Sequence, residues 1–312
     1  MLTEKKTKEI FIKTKALLQG HFILSSGLRS EQYLQCAKLL MHPKQSELIC
    51  KSLAQKIKKV FKKIDLVVAP AMGGIIVGYE VARHLKVPSI FTERVSGEFQ
   101  LRRGFEIKAG AKILIVEDVI TTGKSSMECA KVIKKHKGHF ILSSGLRSEQ
   151  YLQCAKLLMH PKQSELICKS LAQKIKKVFK KIDLVVAPAM GGVIVGYEVA
   201  RHLKVPSIFT ERVDGEFQLR RGFEIKAGAK VLIVEDVITT GKSSMECAKV
   251  IKKHKGHVVG FACIVDRSNN QSSINAKIVS QITFDIPTYR EDEIPNKLKS
   301  IPAIKPGSRN LV

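Results

Sequence analysis

The sequence contains no tryptophan, and aromatic residues make up only 6% of the chain. No apolar run approaches the roughly 20 residues that a membrane-spanning helix needs. The Lys-rich N-terminus also lacks the uninterrupted apolar centre of a signal peptide. These absences predict a protein without a membrane partner. Hydrophobic residues nevertheless make up 44% of the 312 residues, which is enough to bury a globular core.

The seven cysteines include no C-x-x-C pair, the spacing that often marks a metal site or a redox motif. Isolated cysteines of this kind are typical of reduced, buried side chains that pack as small apolar groups. The pattern favours a cytoplasmic protein.

Acidic residues are scarce relative to basic ones: 28 Asp and Glu stand against 54 Lys and Arg, for a formal net charge of +26. Such an excess can indicate a nucleic-acid partner. Here the basic residues are mostly lysines in predicted helices, as in KIKKVFKK, with no aromatic residues interleaved. A solvated helix face or an anionic small substrate accounts for this charge equally well. We therefore predict no nucleic-acid partner.

The sequence repeats itself, since residues 20–137 recur at 138–255 with single differences at Ile75/Val193, Ser96/Asp214 and Ile113/Val231. The units of solenoid proteins are typically about 20–50 residues long, so a repeat of this length is not a solenoid. We interpret it as an internal tandem duplication. Residues 1–137 would then hold an N-terminal helix and a first, incomplete copy, and residues 138–312 a second copy with a complete C-terminal part.

Apolar runs bounded by turn residues alternate with helical patterns in each copy, as at Leu66–Ala69, Ser89–Thr92 and Ile113–Val116. This alternation predicts βαβ units on a parallel sheet. After the second copy, the segment HVVGFACIVD is typical of a strand buried on both faces. The first copy has HFILSS at that place, so its sheet is predicted to lack a strand.

Two assemblies of the chain compete: residues 1–20 joined to 139–312, or 1–138 joined to 257–312. Each would extrude the other copy. Because closing a long loop costs only about 4 kcal/mol, this cost excludes neither. The first assembly keeps 139–312 contiguous, and we favour it for that reason.

The strongest chemical signal is ILIVEDVITTGKSS at 113–126, repeated as VLIVEDVITTGKSS at 231–244. A predicted buried strand ends in two acids, and a hydroxyl-rich turn leads into a helix. Ligands bind at the carboxyl ends of parallel strands. Amides at a helix N-terminus suit a phosphate, and the acids suit ribose hydroxyls or a hydrated Mg²⁺. The nucleotide-binding P-loop is excluded, because it requires a glycine where this sequence has Asp118.

The Glu-Asp-x-x-Thr-Thr-Gly pattern after a strand resembles the phosphoribosyl pyrophosphate signature of type I phosphoribosyltransferases. Three further segments resemble the hood, the pyrophosphate loop and the mobile catalytic loop of orotate phosphoribosyltransferases: HFILSSGLRSEQY, APAMGGIIVGYEVARHL and FTERVDGEFQLRRGFEIKAGAKVLIVEDV. The resemblance implies an α/β fold, with a central parallel sheet flanked by helices and a small hood, here with a duplicated core. It also implies a pentosyltransferase that converts orotate and phosphoribosyl pyrophosphate to orotidine 5′-monophosphate and pyrophosphate. Mg²⁺ would be the cofactor, and a homodimer would donate the mobile loop in trans.

The same resemblance assigns roles to residues of the second copy. Substrate binding falls to Glu235, Asp236, Val237, Ile238, Thr239, Thr240, Gly241, Lys242, Ser243, Met190, Gly191, Gly192 and Arg267. Among these, Arg267 matches the residue that binds the orotate carboxylate, and Glu235 and Asp236 would hold the metal indirectly, through substrate and water. Catalysis falls to Asp236 and to the mobile loop, residues 213–224, through Arg220, Arg221 and the preceding Arg212.

The first copy carries equivalents of the signature turn and of the loop arginines. They are Glu117, Asp118, Thr121, Thr122, Gly123, Lys124, Ser125, Arg102 and Arg103. It has no counterpart of Arg267, so we predict that the first copy has no activity of its own.

Two other functions remain open at this point. One is a purine phosphoribosyltransferase, which turnover with adenine or hypoxanthine would reveal. The other is a non-catalytic regulator that senses phosphoribosyl pyrophosphate and binds nucleic acid, which salt-dependent binding to DNA without turnover would favour.

Overall fold

The computed structural model of the chain describes residues 2–23, 29–120, 123–135, 154–268 and 272–284. We call residues 2–135 the first half and residues 154–284 the second half. The first half consists of α1 (Glu4–Lys13), β1 (Leu17–Ile23), β2 (Arg29–Leu34), α2 (Cys36–Leu40), α3 (Pro43–Val60), β3 (Leu66–Pro70), α4 (Gly74–Leu85), β4 (Ser89–Val95), β5 (Glu98–Leu101), β6 (Ile113–Ile115) and α5 (Lys124–Lys135). The second half consists of α6 (Cys154–Leu158), α7 (Pro161–Val178), β7 (Leu184–Pro188), α8 (Gly192–Leu203), β8 (Ser207–Val213), β9 (Glu216–Leu219), β10 (Lys230–Ile238), α9 (Lys242–Lys253), β11 (His257–Asp266) and β12 (Ile278–Thr283).

The described strands form a mainly parallel sheet in each half. The second half has the strand order β12-β11-β10-β7-β8-β9, and the first half has the order β5-β4-β3-β6. Only the outer pairs, β4 with β5 and β8 with β9, are antiparallel. Strands β1 and β2 form a separate antiparallel hairpin. The prediction of an α/β fold with a parallel sheet is thus confirmed.

Local sequence explains the long helices of both halves. Helices α3 and α7 share the sequence PKQSELICKSLAQKIKKV, and each begins with a proline, where no intrahelical hydrogen bond is lost. Lysines in the last turn of each lie favourably at the negative end of the helix dipole. Helices α4 and α8 are mainly apolar on every side and are almost wholly buried. A helix of this kind must be covered on more than one face.

The signature strand differs between the halves although its sequence is nearly the same. Strand β6 is three residues long and pairs with β3. Strand β10 is nine residues long and lies between β7 and β11. As a result Ile238, at the end of β10, is 1% exposed, whereas the equivalent Ile120 is 67% exposed. The segment HFILSS at 139–144, which stands where the second half has β11, lies outside the described residues.

The two halves pack against each other through equivalent contacts. The rings of Tyr79 on α4 and Tyr197 on α8 meet edge to face, with centroids 6.4 Å apart. Across the same interface, the Tyr197 hydroxyl donates to Glu80 Oε1 at 3.0 Å. The amide of Ser89 donates to the carbonyl of Met159 at 2.7 Å, and its counterpart, Ser207, donates to Met41 at 2.8 Å. Such reciprocal pairs are the mark of an approximately two-fold interface.

The favoured assembly of the chain, with residues 1–20 on the second copy and the first copy extruded, is wrong. The N-terminal segment stays with the first half: the amide of Leu2 donates to Ser52 Oγ at 2.9 Å, and the amide of Gln35 donates to the carbonyl of Ala16 at 2.7 Å. The other assembly is also wrong, because β11 pairs with β10. Packing α4 against α8 buries apolar surface that extrusion would expose. The predicted boundary between 137 and 138 lies outside the described residues.

All seven cysteines are buried, and none forms a disulfide. In the described part of the chain, every helix is too short or too polar to cross a membrane.

Hydrogen exchange should distinguish the two signature strands. We expect the backbone amides of 232–236 to exchange at least about tenfold more slowly than those of 114–118, because β11 pairs with β10 and not with β6. Mass spectrometry of peptic peptides can separate the copies, because peptides that include Ile113 are heavier than those that include Val231. Equal exchange in the two sets of peptides would contradict the strand assignment.

Candidate active site

The hydroxyl-rich turn of the second half lies at the carboxyl end of β10. It joins Ile238 to α9 through Gly241, whose φ of 77° favours glycine. Ser273 holds the turn in place, since its amide and its hydroxyl both donate to the carbonyl of Thr240, at 2.8 and 2.9 Å. Thr239 and Thr240 remain exposed at the N-terminus of α9. The turn therefore offers hydroxyls and the unpaired amides of a helix start to solvent.

The carboxylate of Asp236 lies against the loop between β7 and α8. A Cβ atom added to Gly191 would stand 2.6 Å from Asp236 Oδ2, and one added to Gly192 would stand 3.0 Å from the carbonyl of Val234. Both glycines are needed for this close approach. The structure thus brings the predicted residues Met190, Gly191 and Gly192 next to the signature acids.

Both acids of the signature are largely buried, which disfavours their charged forms. Burial raises the pKa of Glu235 to about 7, although the Ser244 hydroxyl donates a hydrogen bond to its carboxylate, which acts in the opposite direction. Burial also raises the pKa of Asp236, while the positive charge of Arg103 lowers it in part. Because the carboxylate oxygens of Glu235 and Asp236 have little contact with solvent, they are suited to accept hydrogen bonds from hydroxyl groups of a ligand.

Arg267 follows directly on β11, beside the turn. Its amide donates to the carbonyl of Ile238 at 2.8 Å. Its Nε atom is buried and has no hydrogen-bond partner among the described residues. Leaving a buried donor of a charged group without a partner costs free energy, so an anionic ligand at this place would be stabilising.

The three arginines predicted to be catalytic in the second half have different surroundings. Arg212 pairs with Glu246 and stacks over the ring of Phe217, 4.1 Å from its centroid. Arg221 pairs with Glu211, and its positive charge partly offsets the rise that burial causes in the pKa of Asp118 in the first half. Arg220 is exposed.

Arg103 of the first half takes the corresponding place at the second-half site. It pairs with Glu93, and its charge acts on Asp236. Arg221, predicted to be catalytic, therefore lies on a loop that faces Asp118 of the first half, and its first-copy equivalent, Arg103, lies on the loop that faces Asp236.

The first-half equivalents form a less complete arrangement. Asp118 lies against Gly73 as Asp236 lies against Gly191. Gly123 precedes α5, which begins at Lys124 and Ser125, but Thr121 and Thr122 lie outside the described residues. Burial also raises the pKa of Glu117.

Sequence reasoning missed three residues that shape the site. Ser244, one position beyond the predicted set, binds the carboxylate of Glu235. Ser273 and Ile274 brace the turn, and only the folded chain brings them there. Ser244 could have been predicted, because a side chain in the first turn of a helix can reach the end of the strand that precedes the helix.

Known proteins are similar to this chain in both copies of the repeat. The phosphoribosyl transferase domain matches residues 38–141 and 156–291, two stretches that begin in the first and the second copy. The orotate phosphoribosyltransferase of Methylorubrum extorquens is 51% identical over 176 residues, covering 56% of this chain and 90% of that protein. That of Parvibaculum lavamentivorans is 46% identical over 193 residues, covering 59% of this chain and all of that protein (100%). The crystal structure of orotate phosphoribosyltransferase from Aeropyrum pernix is similar with a TM-score of 0.41 and 25% identity, over 50% of this chain and 93% of that one.

The raised pKa of Glu235 predicts a pH-dependent effect of Glu235→Gln on stability. The charged carboxylate is disfavoured in the folded protein, so the penalty is absent below the ordinary pKa of 4.5 and complete above about 7. Glutamine keeps the acceptor for Ser244 and removes the charge. We expect the substitution to raise the free energy of unfolding of the ligand-free protein by about 1–3 kcal/mol at pH 8 and by little at pH 5.

Thermal unfolding midpoints at both pH values measure this difference. Glu117→Gln is the matched control, and its gain at pH 8 should be smaller because that carboxylate is less buried. A gain for Glu235→Gln that is the same at pH 5 and pH 8 would contradict the assignment.

Proposed function

The chain belongs to the phosphoribosyl transferase family and, within it, to the orotate phosphoribosyltransferases, and on this basis we propose that it transfers the phosphoribosyl group of phosphoribosyl pyrophosphate to orotate. The products are orotidine 5′-monophosphate and pyrophosphate. The observation that carries the proposal is the meeting of Asp236, Gly191 and Arg267 around one turn of the second half.

Each part of the two substrates has a suitable partner in this arrangement. The ribose hydroxyls donate to Glu235 and Asp236, which restores the hydrogen bonds that the acids lose on burial. The 5-phosphate lies on the amides and hydroxyls of residues 237–243, at the positive end of α9. The pyrophosphate group lies against the backbone of Met190, Gly191 and Gly192, and the two glycines carry no side chain that would block its approach. The carboxylate of orotate pairs with Arg267.

The reaction breaks the bond between C1 of the ribose and the pyrophosphate oxygen, forms a bond between C1 and a ring nitrogen of orotate, and passes the proton of that nitrogen to the departing pyrophosphate or to water. Positive charge develops on the sugar, and negative charge grows on the leaving group. Fixed charges and aligned substrates therefore supply most of the rate enhancement, and little proton transfer is needed. Asp236 faces the sugar, and basic residues of a neighbouring loop neutralise the departing pyrophosphate.

Magnesium fits this site as a partner of the substrate. No group of three or more His, Cys, Asp or Glu side chains that could hold a metal occurs among the described residues. Glu235 and Asp236 offer carboxylate oxygens, the ligand type that Mg²⁺ prefers, but they are only two. An ion held by the pyrophosphate group and water, with these acids beside it, would neutralise charge on the leaving group.

The buried, unpaired cysteines are in keeping with a cytoplasmic location.

Arg267→Ala tests the recognition of orotate. Because the substitution removes the partner of the substrate carboxylate, we expect kcat/KM for orotate to fall about 30-fold or more. Calorimetric binding of phosphoribosyl pyrophosphate with Mg²⁺ should persist, and Arg267→Lys should recover part of the activity. Loss of sugar binding in Arg267→Ala, or faster turnover of adenine or hypoxanthine than of orotate by the unaltered chain, would contradict the proposal.

Asp236→Asn and Asp118→Asn form a matched pair that identifies the active half. The first substitution removes the charge beside the sugar and should lower kcat about 100-fold or more. The second changes the same atom in a half that has no counterpart of Arg267, so it should retain at least tenfold more activity. Steady-state turnover of orotate measures both, and equal losses would assign activity to both halves.

A further inference from the structure

The two halves are held together at the loops that carry the arginines. We call residues 95–106 the first loop and their counterparts, 213–224, the second loop. Lys156 on α6 of the second half donates to Glu106 Oε1, at the end of the first loop, at 2.8 Å. Reciprocally, Lys38 on α2 of the first half donates to Glu224 Oε1, at the end of the second loop, at 2.7 Å.

These ion pairs hold each loop against the half to which it does not belong. A Cβ atom on Gly222 would lie 2.9 Å from Lys38 Cε, so the second loop touches α2 of the first half directly. The opposite end of each short helix approaches the signature acids. The thiol of Cys36, at the start of α2, donates to the carbonyl of Asp118 at 3.5 Å. Cys154, at the start of α6, lies near Asp236, whose charge adds to the rise that burial causes in the pKa of the Cys154 thiol.

A set of neighbouring residues therefore connects the first loop to the second-half site. Glu106 pairs with Lys156 on α6, and Cys154 of α6 and Arg103 of the loop each lie near Asp236. The equivalent set connects Arg221 to Asp118. Within one chain, each half presents its basic loop to the acids of the other.

The two sites that result are unequal. Beside Asp236 lie β11, Arg267 and the segment of Ser273 that braces the turn. Beside Asp118, the described residues include no strand next to β6 other than β3, and the repeat ends before any counterpart of Arg267. Among the described residues, the site at Asp236 therefore is the one that has both a place for orotate and a basic loop.

We propose that the first half acts as a built-in partner subunit, whose loop completes the Asp236 site of the same chain. This inference rests on the proposed function of that site. One chain then holds one complete active site, with Arg103 as the arginine that neutralises the leaving pyrophosphate. The homodimer expected from the family resemblance is not required for activity, because the first half takes the place of the second subunit.

Arg103→Ala and Arg221→Ala test the assignment as a matched pair. The two arginines occupy equivalent positions and make equivalent ion pairs, with Glu93 and Glu211. We expect Arg103→Ala to lower kcat/KM about 100-fold or more, the usual cost of removing transition-state charge stabilisation. Arg221→Ala should retain at least tenfold more activity. Equal losses, or a larger loss for Arg221→Ala, would overturn the inference.

Dilution of the unaltered chain gives a second readout. Because the partner is covalently attached, specific activity should stay constant from micromolar to nanomolar concentration. A fall in specific activity that coincides with dissociation in sedimentation experiments would show that a second chain supplies the loop.

Zero-length cross-linking tests the arrangement without reference to activity. A carbodiimide joins a lysine to a carboxylate that it touches. In a chain with Lys38→Ala and Glu224→Ala, mass spectrometry of peptides from the single-chain band should find Lys156 joined to Glu106. In the control with Lys156→Ala and Glu224→Ala, the remaining Lys38 and Glu106 should not be joined.

The two experiments separate the possible failures. If the unaltered chain shows no turnover of orotate but the cross-link forms as expected, the proposed function fails and the built-in partner stands as an arrangement of the halves. If turnover is normal but the cross-link appears only between chains, or equally in the control, the built-in partner fails and the proposed function stands.

Discussion

A strand in the middle of a parallel sheet needs a hydrogen-bonding neighbour on each edge, and the properties of the second-half site follow from this need. Strand β11 supplies the outer neighbour of β10, extends it to Ile238 and buries its end. Burial in turn raises the pKa of Glu235. The same strand places Arg267, which follows it directly, beside the turn. With nearly the same sequence, β6 ends at Ile115 and leaves Ile120 exposed. The chemistry of the acids is therefore set by a strand that lies outside the repeat.

The halves also need each other for the burial of α4 and α8. Glu80 is fully buried at their interface, where it accepts from Tyr197 and pairs with Arg83 at 3.0 Å. A buried carboxylate is tolerated when its partners are in place and is costly when one is removed. The interface thus combines apolar area with a buried carboxylate that is paired within its own half and accepts a further hydrogen bond from the other half.

Much of the fold and of the site could be predicted from local patterns. Alternating apolar runs and helices indicated the parallel sheet, and the position of Glu235 and Asp236 after a buried strand indicated a site at its carboxyl end. The arrangement of the halves could not be obtained in this way, because the two copies differ at so few positions that no local pattern distinguishes Arg103 from Arg221. The preference for the assembly with an extruded first copy rested only on keeping residues 139–312 contiguous. The sequence GIIVGYEVARHL, apolar on every side, was the available sign that α4 packs on more than a sheet.

The reciprocal exchange of loops divides the duties of a repeated sequence unevenly. In the first half Arg103 matters, whereas Asp118 has no orotate to position. In the second half Asp236 matters, whereas Arg221 reaches an incomplete site. Selection would then preserve Arg103 and Asp236 while relaxing on Arg221 and Asp118. Two stretches that are almost letter for letter alike would drift apart at opposite positions, each retaining the part that the other has ceased to need.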